Sequence, residues 1–130
     1  PIPLLVTTGV CTTEALEAAA QLETNGVDAT VLHMHTIKPL DVEALVAHAA
    51  KASHVFTIEE HTTIGGLGSA VIDALVETMG DRLPPLKKIG LPDRFAEHYG
   101  LQADHFRMHG LSADRIAERV SDAVRRNAAA

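Results

Sequence analysis

Apolar positions along this chain follow two rhythms, short continuous runs and longer stretches spaced by three and four. Leu4, Leu5, Val6 and Thr7 form the first run, of a length suited to a buried strand. After Thr8 and Gly9 the spacing turns helical, with Ala15, Ala18, Ala19 and Leu22 on one narrow face. Thr12 or Thr13 is the expected cap of this helix, Glu14 and Glu17 favour the positive end of its dipole, and Gly26 suits a left-handed stop. Val27–Met34 is rich in β-formers and reads as a second strand, apolar enough on both faces to be central.

Pro39 then breaks the chain, and Asp41 is the natural cap of a helix carrying Val42, Leu45, Val46, Ala49 and Ala50 at i, i+3, i+4, i+7 and i+8. Val55, Phe56, Thr57 and Ile58 make a third strand. A polar, glycine-rich turn follows it (Glu59, Glu60, His61, Gly65, Gly66, Gly68), then a helix with Ile72, Leu75, Val76 and Met79 on its buried side, stopped by Gly80. Leu86–Ile89 is a weaker fourth strand because Lys87 and Lys88 sit inside it. Gly90–Gly100 reads as loop and Ala103–His109 as a short helix ended by Gly110. Ser112 caps a last helix with Ala113, Ile116, Ala117, Val120 and Val124 on one side, and the tail from Arg125 to Ala130 is expected to fray.

Strands alternating with helices imply an α/β fold, a three-layer α/β/α sandwich on a mostly parallel sheet of about four strands in the usual doubly wound order 2-1-3-4. The 130 residues suit one domain spanning 1–130, and 46% apolar content excludes disorder. A formal charge of −6, with no basic residue before Lys38, argues against a nucleic-acid partner. No stretch approaches the roughly 18 apolar residues of a membrane span. A cytoplasmic protein is the expectation, and the single Cys11 asks for no oxidising compartment. Pro1 in place of an initiator Met suggests a processed chain or a piece of a longer one.

Strand, glycine-rich loop and helix start form one unit at Val55–Glu77, the kind of place where open α/β sheets dock ligands or partners. Gly65, Gly66, Gly68 and Ser69, with Glu60 and His61, are the candidate interface or anion loop, since free N–H groups at a helix start attract phosphate. The dinucleotide fingerprint is incomplete: Val71 stands where a third Gly or Ala belongs, and the loop follows the third strand rather than the first. Glu59, Glu60 and His61 are a candidate acid–base set, against a simpler role in solvent-facing or interfacial hydrogen bonds. His33 and His35, and His105 and His109 at i, i+4, are pairs able to chelate, but each lacks a third ligand nearby in sequence. Asp93, Arg94 and His98, with Glu97 and Tyr99, form a polar loop stiffened by Pro92, and Cys11 reads as a small packing residue.

Three strings, LHMHTIKPLD (Leu32–Asp41), IEEHTTIGGLGSAV (Ile58–Val71) and GLPDRF (Gly90–Phe95), resemble the C-terminal domain of transketolases. The similarity is greatest to separately encoded C-terminal subunits of split transketolases. 1-Deoxyxylulose-5-phosphate synthases and 2-oxoacid dehydrogenase β subunits are near neighbours. The resemblance implies a thiamine diphosphate-dependent ketol transferase acting on sugar phosphates in pentose phosphate metabolism, with the cofactor and Mg²⁺ held by other domains and none on this chain. It implies a non-catalytic, dimer-forming role, with the thiamine-binding domains or subunit as partners in a homodimer or heterotetramer. The family's metal–diphosphate motif, Gly-Asp-Gly…Asn, is missing: Gly80-Asp81 precedes Arg82, and the asparagines are Asn25 and Asn127. The family's antiparallel first strand is also missing, which suggests a trimmed fragment, and Glu97 is followed by His98 and Tyr99 rather than Ser-Gly. The alternative function is a regulatory module binding nucleotide or phosphate at Gly65–Ser69, and a third reading is an independent enzyme using Glu60 and His61.

Overall fold

The structure is a computed structural model describing residues 2–128. Four parallel strands, β1 (Leu4–Thr7), β2 (Thr30–His33), β3 (Val55–Thr62) and β4 (Leu86–Leu91), form one sheet in the order β2-β1-β3-β4. Five helices cover it: α1 (Cys11–Thr24), α2 (Val42–Ala49), α3 (Leu67–Met79), α4 (Gln102–His109) and α5 (Ala113–Ala128). Alternation along the strands sends Leu5, Phe56, Ile58 and Ile89 to a cluster under α1, α4 and α5, and Leu4, Val6 and Val55 to a second cluster under α2 and α3. This is the three-layer sandwich, in the strand order that the alternating pattern implies.

Several local features differ from the sequence reading. α1 starts at Cys11 with no side-chain cap, because Gly9 turns the backbone at φ 58° and brings the Thr12 N–H to the Gly9 carbonyl (3.2 Å). The Thr12 hydroxyl instead shares hydrogen bonds with Thr7 Oγ1 (2.9 Å) and His33 Nδ1 (2.7 Å). Glu17 therefore falls beyond the first turn, while Glu14, within it, accepts from the Ala113 N–H at the start of α5 (2.7 Å). β2 is an edge strand confined to Thr30–His33, not a central one running from Val27. Asp41 caps α2 as its position indicates, accepting from the Ala44 N–H at 3.0 Å.

β3 carries on through Glu59, Glu60 and His61 to Thr62, so the glycine turn starts four residues later than the apolar run suggests. The buried stripe of α3 is Leu67, Val71, Leu75 and Met79, while Val76 is exposed and Ile72 only half-buried. β4 runs to Leu91, which shortens the expected loop by its first two residues. α5 stays helical to Ala128 where a frayed tail was expected, and residues 129 and 130 lie outside the described part. Among the described residues, no helix is long and apolar enough to cross a membrane.

Candidate functional site

All four strands are parallel, so the loops that follow them leave the same end of the sheet. Strand order reverses between β1 and β3, which opens a crevice between the loops after these strands. There a cleft of about 470 Å³ is lined by Thr8, Gly9 and Val10 after β1, Ile37 after β2, and Glu59, Glu60, His61, Gly65 and Gly66 at the end of β3. The glycine-rich loop that the sequence singles out thus sits at the switch point.

Its geometry is set by a residue whose burial the sequence reading missed. Glu59 shares the face of β3 that carries Val55 and Thr57, pointing toward α3, and is 2% exposed rather than solvent-facing. Its Oε2 accepts from the Leu67 N–H (2.7 Å) and its Oε1 from the Gly68 N–H (2.9 Å), so the carboxylate caps α3 in place of a side chain at Gly66. Charge, dipole and two otherwise orphaned donors are satisfied together. The approach is tight enough that a Cβ on Gly66 would collide with this carboxylate and come within 2.7 Å of His61 Nδ1. The two-residue period in the sequence puts Glu59 on the face of Val55 and Thr57, but both faces of the sheet are covered, and only the fold shows that the uncapped helix lies on that side.

A second clamp comes from β4. Lys88 Nζ donates to the Thr63 carbonyl (2.8 Å) and to Ser69 Oγ (3.2 Å), and Ser69 Oγ also accepts from the Gly65 N–H (2.9 Å). Gly68 makes room for this lysine, since a Cβ there would lie 2.8 Å from Lys88 Cδ and 2.7 Å from Thr57 Oγ1. Gly66 and Gly68 therefore admit side chains of this chain, whereas Gly65 has open space around it and serves the turn through its φ of 76°. At Gly90 it is backbone that comes close, with the His61 carbonyl 2.8 Å from where a Cβ would stand, beside a register shift between β3 and β4.

The remaining candidates spread along the same rim. Glu60 accepts from Gln102 Nε2 (2.8 Å), tying β3 to α4. His61 is exposed and donates through Nδ1 to its neighbouring Thr62 carbonyl (2.8 Å), 3.9 Å from Glu59 Oε2. Asp93, Arg94 and His98 are exposed in the β4–α4 loop, where Arg94 reaches Glu97 at 3.8 Å. His105 and His109 stack with ring centroids 6.2 Å apart at 12°, and His33 is bonded to Thr12. Among the described residues, no three ligand-type side chains gather as a metal set. Cys11 is buried, and burial first, then the charges of Glu60, Glu14 and Glu59, pushes its pKa up to about 12, which keeps the thiol protonated and unreactive.

The model of the family described as transketolase, C-terminal domain, matches residues 4–116. A 1-deoxy-D-xylulose-5-phosphate synthase of Chlorobium luteolum is 45% identical over 95% of this chain and 19% of its own length. A 6-deoxy-6-sulfo-D-fructose transketolase subunit of Clostridium sp. is 38% identical over 94% of this chain and 37% of its own. A solved structure described as a split gene transketolase, inactive β4 tetramer, superposes with a TM-score of 0.82 at 38% identity, covering 92% of this chain and 38% of that one. A transketolase mutant from Pichia stipitis shares the fold at a TM-score of 0.62 and 17% identity, covering 92% of this chain and 16% of its own. The chain thus spans between about a fifth and just over a third of the length of these curated relatives. With residues 4–116 matched and relatives of this identity aligned along nearly all of it, the chain belongs to the transketolase C-terminal domain family.

Proposed function

We propose that this chain is a non-catalytic assembly domain of a thiamine diphosphate-dependent, transketolase-type enzyme acting on sugar phosphates. It works in a dimer or heterotetramer beside thiamine-binding domains that hold the cofactor and Mg²⁺. The observation that carries this reading is the apolar rim. Each loop at the carboxyl end of the sheet exposes a large apolar side chain: Val10 after β1, Ile37 after β2, Ile64 after β3, and Phe95, Tyr99 and Leu101 after β4. Phe95 is 98% exposed and Ile64 65%. Apolar side chains standing this free of their own fold, gathered on one face and rimmed by polar groups, mark a protein interface. The clamps of Glu59 and Lys88 hold that face in shape before a partner arrives, which lowers the ordering cost of association.

The phosphate-module alternative meets an obstacle in the same geometry. The Leu67 and Gly68 N–H groups that would cradle an anion already serve the Glu59 carboxylate. A phosphate there would have to displace a buried negative charge.

Velocity sedimentation, alone and with a thiamine-binding subunit of a split transketolase, tests the proposal. The unaltered chain should form assemblies that the double variant Ile64→Asp, Phe95→Asp loses while keeping its fold. In calorimetry the chain alone should not bind thiamine diphosphate with Mg²⁺, because octahedral Mg²⁺ needs oxygen ligands that its partner domains supply. A monomeric wild type, an unaltered double variant, or micromolar cofactor affinity would overturn it.

A further inference from the structure

Away from the rim, a cleft of about 260 Å³ opens between the free edge of β4 and α5. Its apolar floor is Phe56 and Ile89, and its charged lining is Lys87 and Lys88 from β4 with Arg119, Asp122 and Arg126 from α5. The Lys88 ammonium is bonded to Thr63 and Ser69, which leaves three cations, Lys87, Arg119 and Arg126, around one small cavity of a molecule whose formal charge is −6. Lysine on an edge strand guards against edge-to-edge pairing, and solvated arginines on a helix need no ligand. Neither reason explains the convergence. Arg115, one turn earlier on α5, pairs with Glu118 at 2.9 Å, whereas Lys87, Arg119 and Arg126 form no ion pair among the described residues.

Two features fix this wall. The Arg119 guanidinium lies against the main chain of Gly110, where a Cβ would stand 2.7 Å from Nη2. Gly110 takes the left-handed φ of 76° that ends α4, so a glycine at that turn gives the arginine its berth. Outside the lining, His54 stacks on Phe56 at 6.1 Å, and burial followed by the charge of Lys87 holds the imidazole below its ordinary pKa. A neutral ring beside the cleft leaves the positive field to the lysine and the arginines.

We propose that this cleft binds a small phosphorylated metabolite. Lys87, Arg119 and Arg126 receive the phosphoryl group, Asp122 accepts from a ligand hydroxyl, and the carbon chain lies on Phe56 and Ile89. Guanidinium groups suit phosphate through paired N–H donors. The volume sits just below the range of about 300–1,000 Å³ that takes drug-sized ligands, which favours a short phosphate ester over a dinucleotide. The site is separate from the proposed assembly rim and stands whether or not that reading does.

Titration of the chain with glycerol 3-phosphate, glycerol and inorganic phosphate, followed by amide chemical shifts, tests the site. Glycerol 3-phosphate should saturate with Kd below about 1 mM, with shifts centred on Lys87, Ile89, Arg119 and Asp122. Inorganic phosphate should bind at least several-fold more weakly, and glycerol should not bind. Arg119→Ala with Arg126→Ala, both exposed and so expected to fold, should weaken binding at least tenfold. Arg115→Ala should leave it unchanged, and Lys87→Ala gives an independent check of the wall. Absence of saturation, shifts centred on Gly65–Ser69 instead, equal affinity for inorganic phosphate, or binding indifferent to these cations would overturn the proposal.

Discussion

Glu59 and Glu60 are consecutive carboxylates that β3 points in opposite directions, and their energetics should differ accordingly. Glu59 is buried with two N–H donors, whereas exposed Glu60 holds only the Gln102 amide. Glu59→Gln removes the charge at the α3 N-terminus and sets an amide NH₂ against a backbone N–H. It should cost about 1–3 kcal/mol in urea denaturation, while Glu60→Gln should stay within about 0.5 kcal/mol. Equal losses would mean that the clamp does not carry the helix start. Both residues were visible in the sequence as polar groups beside the glycines. What one string could not show is that a helix beginning at Leu67 would fall on the side to which Glu59 points. Lys88 was misjudged for a related reason: a charge within a strand reads as weakness until its ammonium is seen bonded to Thr63 and Ser69.

At the scale of elements, type and order were legible and rotational phase was not. α3 is apolar around much of its circumference, so the spacing Ile72, Leu75, Val76, Met79 fits a helix as well as the buried Leu67, Val71, Leu75, Met79. The Glu59 clamp chooses between them by fixing the first turn. Val71→Ala should therefore cost about 1–3 kcal/mol and Val76→Ala at most about 0.5 kcal/mol, read from shifts in the thermal or chemical midpoint. The edge position of β2 was hidden by the layers themselves. Val27, Ala29 and Val31 pack against the cluster under α1 and α5, and Leu32 and Met34 against the other. A strand covered on both faces is apolar on both faces at an edge as at a centre. The fourth strand and the short helix α4 emerged within a residue or two of their expected limits because Pro85 and Gly110 punctuate them in the chain.

Across the whole molecule, parallel strands bring exposed apolar side chains from the four following loops to one end of the sheet, while Ile2, Leu16, Val76 and Met108 are exposed elsewhere and the basic cleft lies along the β4 side. Such placement depends on topology, so no window of sequence contains it. The bond from Glu14 to the Ala113 N–H spans 99 residues and ties the first helix to the last, and the two pack along their lengths. In kinetic terms, a contact that closes so long a loop must meet its entropy before it returns anything, so α5 should dock after the transition state. Glu14→Ala would then leave the folding limb of a chevron nearly unchanged and speed unfolding, by about fivefold for each 1 kcal/mol lost. Slower folding in the variant would place α5 in the nucleus instead. A helix that docks last would also detach first, and its release would open the cluster that holds Phe56 and Ile89 to water, so the earliest opening of the native state would expose apolar surface able to aggregate.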